Sequence, residues 1–266
     1  MMHIPAGPFW MGCRDGFDTD ELTGPCADSE LPSREVIVSA FWIDKHEVTK
    51  GAYRQCIEAG SCEPTPHWDA EWYQGEEGSG YFVPGLDDMP AASATWSQAS
   101  TYCAWLGKRL PTEAEWEKAA RGTDGRKYPW GMQEPTCDHA NYKPWDINTM
   151  TPGPECWYRE MYQTLTPVGM FCALGVSPYG LCDTSGNTSE WVADGYESQG
   201  LGYEGLPALD PVREPTGNLV VRRGSNWGSW DFASGGYTLR ACRRLGAPKN
   251  SVNATLEAGF RCAKSD

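Results

Sequence analysis

The chain has 266 residues, with 22 Lys and Arg against 36 Asp and Glu, for a formal net charge of −14. That length suffices to bury a real core, and the acidic balance argues against nucleic acid or an anionic membrane surface as the main partner. No apolar run of about 18 residues occurs, so no membrane insertion is expected. The start, "MMHIPAGPFWMGC", lacks a basic segment and a long apolar stretch and does not read as a signal peptide. "SREVIVSAFWIDKHEV" alternates through Val36, Val38, Ala40 and Trp42, which predicts one strand. Thr49 then caps a short helix that buries Tyr53, Cys56 and Ile57 and stops at Gly60. A second helix follows Thr95 or Ser97 and ends at Gly107, with Ala99, Tyr102, Cys103 and Leu106 on one stripe. A third begins at the Thr112/Glu115 capping box, buries Trp116, Ala119 and Ala120, and ends before Gly122. Beyond it no helical period persists, and with 30 Gly and 20 Pro the remainder reads as short strands and long ordered loops. The fold class expected is α+β, in a single domain over residues 1–266 with little regular secondary structure.

Eleven cysteines are many for a reduced protein, and no CxxC pair points to structural zinc. Disulfides formed in an oxidising, extracytoplasmic compartment (periplasmic, surface or secreted) are the better reading. Neighbours in the chain suggest Cys13–Cys26, Cys56–Cys62, Cys137–Cys156, Cys172–Cys182 and Cys242–Cys262. Cys103, on the apolar stripe of the second helix, is then left as a buried free thiol.

Several punctuated segments occur in a characteristic order: "IPAGPFWMGC", "VSAFWIDKHEVTKGAYRQC", "PAASATWSQASTYCAWLGKRLPTEAEWEKAARG", "YPWG", "ANY", "TPVG", "SPYGLCDTSGNTSEWVAD", "VVRRGSNW" and "GFRCA". Together they resemble formylglycine-generating enzyme-like (sulfatase-modifying factor) domains over nearly the whole chain. The resemblance implies a compact domain with a C-type lectin-like core. It also implies oxidation of a sulfatase cysteine by oxygen and a copper(I) ion held by two cysteines. Soft thiolates select Cu(I). Here the two cysteine positions fall on Ser229 and Ser234 when counted forward from Trp227. Counted back from Arg240, the second falls nearer Gly236. No thiol stands at either place, so copper is not expected, the oxidase activity is unlooked for, and no catalytic residue is assigned. The histidines His3, His46, His67 and His139 show no ligand spacing for a non-heme iron centre, and neither a G-x-S-x-G elbow nor a Walker-type loop occurs.

"DTSGNTSEW" offers a different chemistry, since carboxylates and turn carbonyls are the hard oxygens that calcium takes. The resemblance implies a structural calcium ion on Asp183, Gly186, Thr188 and Glu190. It implies a second site on Asn141 and Tyr142, completed by Glu160 and Tyr162. Asn187 and Asn253 head formal N-glycosylation triplets, read as incidental.

The stretch "RRGSNWGSWDFASGGYTLRACRR", residues 222–244, combines aromatics, small polar residues and arginines, the composition of a binding surface. Trp227 is expected in the core. Trp230, Asp231, Phe232, Tyr237 and Arg240 are expected to contact a ligand of protein, peptide or glycan type. The reading that results is a catalytically silent, calcium-stabilised binding module. The alternatives are an oxidoreductase with a non-standard active site and a structural accessory domain of a larger secreted protein.

Overall fold

Three threonines open the three α-helices found among the described residues. Their side chains accept the amide three residues on: Ala52 at 3.2 Å for Thr49, Gln98 at 3.2 Å for Thr95 and Glu115 at 3.2 Å for Thr112. Gln98 and Glu115 return the bond to their cap's own amide, at 3.0 and 2.8 Å, closing both capping boxes. The helices are α1 (Lys50–Glu58), α2 (Trp96–Trp105) and α3 (Glu113–Arg121). The computed structural model describes residues 1–19, 24–65, 87–142, 145–146, 151–152, 156, 165–197, 202–228, 237–250 and 258–266.

The strands are short, as the Gly and Pro content predicts. β1 (Met2–Ile4), β4 (Phe41–Ile43) and β11 (Ala263–Ser265) form one antiparallel sheet with β4 central. β2 (Gly7–Met11) and β3 (Arg34–Val38) form an antiparallel ribbon, and β5 (Trp145–Asp146) and β6 (Thr151–Pro152) another. The largest sheet has the order β10 (Ala258–Phe260), β7 (Ser189–Gly195), β8 (Leu219–Arg223), β9 (Arg244–Pro248), with β10 parallel to β7 and the rest antiparallel. The mixture of segregated helices and small sheets is an α+β fold.

The single strand expected over residues 33–48 is in fact two strands in different sheets. Val36 and Val38 point inward from β3, and then Phe41 and Ile43 from β4, so the inward phase shifts by one residue at the crossing. Ala40 and Trp42, expected inward, are only half-buried. A one-residue change of phase exchanges the two faces of a strand. Asp210 holds the crossing by accepting the Ser39 amide and hydroxyl, each at 2.7 Å.

One core cluster packs α1 and α2 on the large sheet: Tyr53, Tyr102, Cys103, Trp191, Phe260 and Cys262 are all within it. Here the cysteine pairing is corrected. Cys103 is not a free thiol but bonds Cys262, while Cys242 is the free one and is buried. The stripe on α2 faces the β10–β11 junction, which carries Cys262, whereas Cys242 precedes β9 and faces the N-terminal segment. The pairs Cys13–Cys26, Cys56–Cys62, Cys137–Cys156 and Cys172–Cys182 form as expected. Five disulfides fit folding in an oxidising, extracytoplasmic compartment. No helix among the described residues is long and apolar enough to cross a membrane.

Every residue of α3 is buried, charged ones included. Arg244 grips Glu113 through both oxygens, at 2.7 Å each. Arg223 joins Glu113 (2.9 Å) to Glu117 (2.7 Å), and Arg121 joins Glu117 (3.0 Å) to Asp18. Burial alone would raise the Glu113 carboxyl, but Arg244 and Arg223 outweigh it and hold the group below the usual range. Buried carboxylates persist in this way only when paired and hydrogen-bonded. The lattice ties α3 to β8 and to the start of β9, which brackets the 222–244 stretch.

Candidate functional site

The turn that enters β7 carries backbone strain. Asp183 and Asn187 have φ of 55° and 58°, and Gly186 has 83°. Glycine is required at 186, since a Cβ there would lie 2.4 Å from the Asn141 carbonyl oxygen. Opposite, Gly224 and Ser225 at the end of β8 have φ of 85° and 60°. The two strained segments are sewn together: the Gly186 amide donates to the Gly224 carbonyl at 2.7 Å, and the Trp227 amide to the Asn187 carbonyl at 3.0 Å. Ser185 Oγ donates to the Leu239 carbonyl at 2.8 Å. The two stretches singled out in the sequence are therefore parts of one site, and left-handed non-glycine residues that cluster in this way mark sites held by their surroundings.

Around the turn sit three buried carboxylates, those of Glu47, Asp183 and Glu190. Glu190 is gripped by Arg261, Nε to Oε2 and Nη2 to Oε1, both at 2.6 Å, and Trp116 Nε1 donates to Oε2 at 2.9 Å. Glu47 accepts the Thr188 amide (3.1 Å) and hydroxyl (2.6 Å) on Oε1 and the Asn187 amide group (2.8 Å) on Oε2. Burial first, then the neighbouring Asp183 and Glu190, push the Glu47 carboxyl well above its ordinary range. Asp183 accepts the Gly169 amide on Oδ2, 4.0 Å from His46 Nδ1, while its buried Oδ1 has no hydrogen-bond partner.

These contacts set what the turn can hold. Asp183 Oδ1 is open, and Glu190 Oε1 takes one donor and keeps a lone pair. With the main-chain oxygens of Gly186 and Thr188, the donors are all hard oxygens, the type suited to Ca²⁺. Beside the raised Glu47, two further carboxylates, Asp183 and Glu190, stand against one guanidinium, Arg261, so the turn has negative charge to spare. Among the described residues, the carboxylates of Glu47, Asp183 and Glu190 do not converge within 4.8 Å as a three-sided cluster, so main-chain oxygens would have to complete any ligand set. Asn141 and Tyr142, of the second expected calcium site, are both buried, and the Asn141 carbonyl accepts the Asn187 amide at 2.9 Å. Glu160 and Tyr162 lie outside the described residues. Asn187 is itself buried and bonded to Glu47, Thr166 and Asn141 through its side chain, which agrees with reading its glycosylation triplet as incidental.

Of the expected ligand contacts, Trp230, Asp231 and Phe232 lie outside the described residues, as do Ser229 and Ser234, the positions of the family's copper cysteines. Trp227 is half-buried rather than in the core. Tyr237 is half-buried between two guanidiniums, with Arg240 at 4.3 Å and Arg243 at 4.7 Å from its ring. Arg240 corrects the expectation of a surface contact. It is 1% exposed and donates to Glu30 (3.0 Å), the Asp18 carbonyl (3.1 Å) and Cys13 Sγ (3.3 Å). Its charge is spent on the N-terminal segment, some 210 residues away in sequence. Glu47, Arg261 and Trp116 are the site residues that sequence reasoning missed. "GFRCA" and "KHEVT" were in view as motifs, but no spacing relates Arg261 or Glu47 to Glu190.

Set beside known proteins, the whole chain, residues 1–266, matches the family described as Sulfatase-modifying factor enzyme 1-like domain (FGE-sulfatase), and it belongs to that family. It is 30% identical to Inactive C-alpha-formylglycine-generating enzyme 2 of Mus musculus, over 100% of this chain and 85% of that protein. It is also 30% identical to the Formylglycine-generating enzyme of Thermomonospora curvata, over 99% and 92% respectively. Among solved structures, PvdO from Pseudomonas aeruginosa superposes with a TM-score of 0.71 at 23% identity, over 99% of this chain and 93% of that one. Treponema denticola variable protein 1 superposes at 0.67 and 19% identity, over 100% and 95%. At those identities the last two show a shared fold alone.

Proposed function

We propose that this domain is a catalytically silent member of its family and works as a calcium-stabilised, extracytoplasmic module that binds a protein, peptide or glycan. The observation that carries the reading is the state of its sulfur. Ten of the eleven cysteines are tied into five disulfides, and the remaining thiol, Cys242, is buried. Burial, then Asp18 and Glu30 nearby, push the Cys242 thiol far above its ordinary range, away from the thiolate that ligates a metal. A two-thiolate Cu(I) centre needs two such sulfurs, and no thiol stands at the positions where the family resemblance puts them. Membership of a family with a relative named as inactive supports the same reading.

Calcium would be held by Asp183 and Glu190 with the carbonyls of Gly186 and Thr188. It would supply the positive charge that one arginine leaves wanting, and so hold the turn against Gly224. The ligand would be contacted by Trp230, Asp231, Phe232 and Tyr237.

Two measurements test this. The protein incubated with copper, oxygen and a sulfatase-derived cysteine peptide should convert no thiol to aldehyde, and turnover with tight copper binding would overturn the silent reading. Immobilised protein in calcium should retain a subset of a peptide and glycan array. If it retains nothing, the module is structural.

A further inference from the structure

The buried thiol has a neighbour that can react with it. Cys242 Sγ, Cys13 Sγ and an Asp18 carboxylate oxygen all lie within 4.8 Å of one another, and Cys13 is already bonded to Cys26. Cys13, Asp18 and Cys242 are each buried, whereas Cys26 is half-exposed. A guanidinium is already aimed at the middle sulfur, since Arg240 Nη1 donates to Cys13 Sγ at 3.3 Å. A disulfide with a free thiol within 4.8 Å of one of its sulfurs supplies the reactants of a thiol–disulfide exchange.

We infer that Cys242 and the Cys13–Cys26 disulfide form an internal exchange switch, in which the chain isomerises to a Cys13–Cys242 disulfide and a free, half-exposed Cys26. Cys242 first loses its proton to hydroxide from solvent, since burial, Asp18 and Glu30 all hold it as the thiol. Its sulfur attacks Cys13 Sγ, the Cys13–Cys26 bond breaks, and Cys26 leaves as a thiolate that takes a proton from solvent. One S–S bond forms as one breaks, so no outside oxidant or reductant enters. Exchange rates depend on which sulfur is attacked and how well the other one leaves. Here the buried sulfur beside Arg240 is the one attacked, and the sulfur nearer solvent is the one that leaves. Negative charge lies mainly on the attacking and leaving sulfurs during the step, and Arg240 favours the Cys242 thiolate that attacks.

The surroundings of Cys242 oppose one another. Burial first, then Asp18 and Glu30, disfavour its thiolate, while Arg240 and Arg121 favour it. The exchange is therefore dormant at rest and set off by conditions that ionise the thiol. Its consequence is positional. Cys13–Cys26 closes a local loop of 13 residues, while Cys13–Cys242 would anchor the N-terminal segment directly to the stretch that follows the proposed binding face. The inference does not depend on what that face binds.

The test is disulfide mapping of the intact chain, held without reductant at a series of pH values up to the highest at which it stays folded, and alkylated before and after denaturation. The switch predicts a cross-linked Cys13–Cys242 peptide, with Cys26 alkylated while the protein is still folded. In Cys242→Ser both signals should vanish and Cys13–Cys26 should persist, and in wild type the cross-link should form in monomer at a rate independent of protein concentration, which excludes exchange between molecules. In Cys26→Ser, oxidised glutathione should close Cys13–Cys242, and mixed disulfides with glutathione alone would contradict the geometry. If wild type keeps only Cys13–Cys26 under every condition that leaves it folded, and Cys242 is alkylated only after denaturation, the switch does not exist.

Discussion

Arg261 holds Glu190 through both carboxylate oxygens at 2.6 Å, inside a core where neither side chain touches solvent. The same guanidinium donates to the carbonyls of Lys45 (2.8 Å) and Cys182 (2.9 Å), so it joins β7, the end of β10 and the two loops that carry His46, Glu47 and Asp183. Removing one partner of such a pair strands a buried charge, which costs about 3–5 kcal/mol, whereas removing both costs much less. Arg261→Met should therefore destabilise the fold by about that amount. Arg261→Met with Glu190→Gln should recover a large part, as chemical denaturation would measure. Additive losses in the double variant would mean that the pair is not coupled.

Calcium should raise the melting temperature relative to EDTA, by a stabilisation of about 2.7 kcal/mol at a free concentration about one hundred times Kd. Asp183→Gly removes the open carboxylate at a left-handed position that glycine tolerates, and it should abolish most of the shift. Glu190→Ala is a poorer test because it also strands Arg261. Glu117→Ala is a poor control for the same reason, since Glu117 binds Arg223 and Arg121. The exposed Glu58→Ala on α1 should leave the shift intact. Equal melting in calcium and EDTA, with no calcium by elemental analysis, would refute the site.

At neutral pH, alkylation without reduction should modify Cys242 alone, and only after unfolding. Modification of Cys103 instead would restore the neighbour-in-sequence pairing.

The disulfides should differ in what they contribute. Cys103–Cys262 closes 159 residues and Cys56–Cys62 only 6. Loop-closure entropy puts these at about 5 and about 2 kcal/mol. Replacing Cys103 and Cys262 together by Ala should lower the denaturation midpoint far more than replacing Cys56 and Cys62.

Asp194 gives the stability a pH dependence. It is buried and accepts the amides of Glu113 (2.6 Å) and Arg213 (2.9 Å). Burial, then the Glu113 charge, push its carboxyl up to about 7. A carboxyl raised in the fold binds its proton more tightly there than in the unfolded chain. Its contribution is complete below the ordinary carboxylate range and is lost as pH rises through about 7. Glu47, raised for similar reasons, acts in the same direction. Denaturation midpoints should fall between pH 5 and 8, and Asp194→Asn, a mimic of the protonated acid, should flatten that fall. An unchanged slope in the variant would show that Asp194 does not govern it.

The features legible along the chain were local ones. Thr49, Thr95 and Thr112 cap their helices because a side-chain oxygen meets an amide three residues on, inside one turn of chain. The stripe on α2 buried Ala99, Tyr102 and Cys103 because helical period alone puts them on one face, although Leu106, expected with them, stays 40% exposed. Four disulfides joined near neighbours for a related reason: short loops leave few other partners within reach. Period says which face is inward but not what stands across from it. So the partner of Cys103 was decided only when β10 and β11 brought Cys262 against α2, and the exposure of Arg240 only when Glu30 and Cys13 folded over it. The pairing of Glu190 with Arg261, and the approach of Glu47 to both, were decided in the same way. Each joins residues far apart in the chain whose meeting depends on how whole sheets pack, and no spacing along the sequence records that.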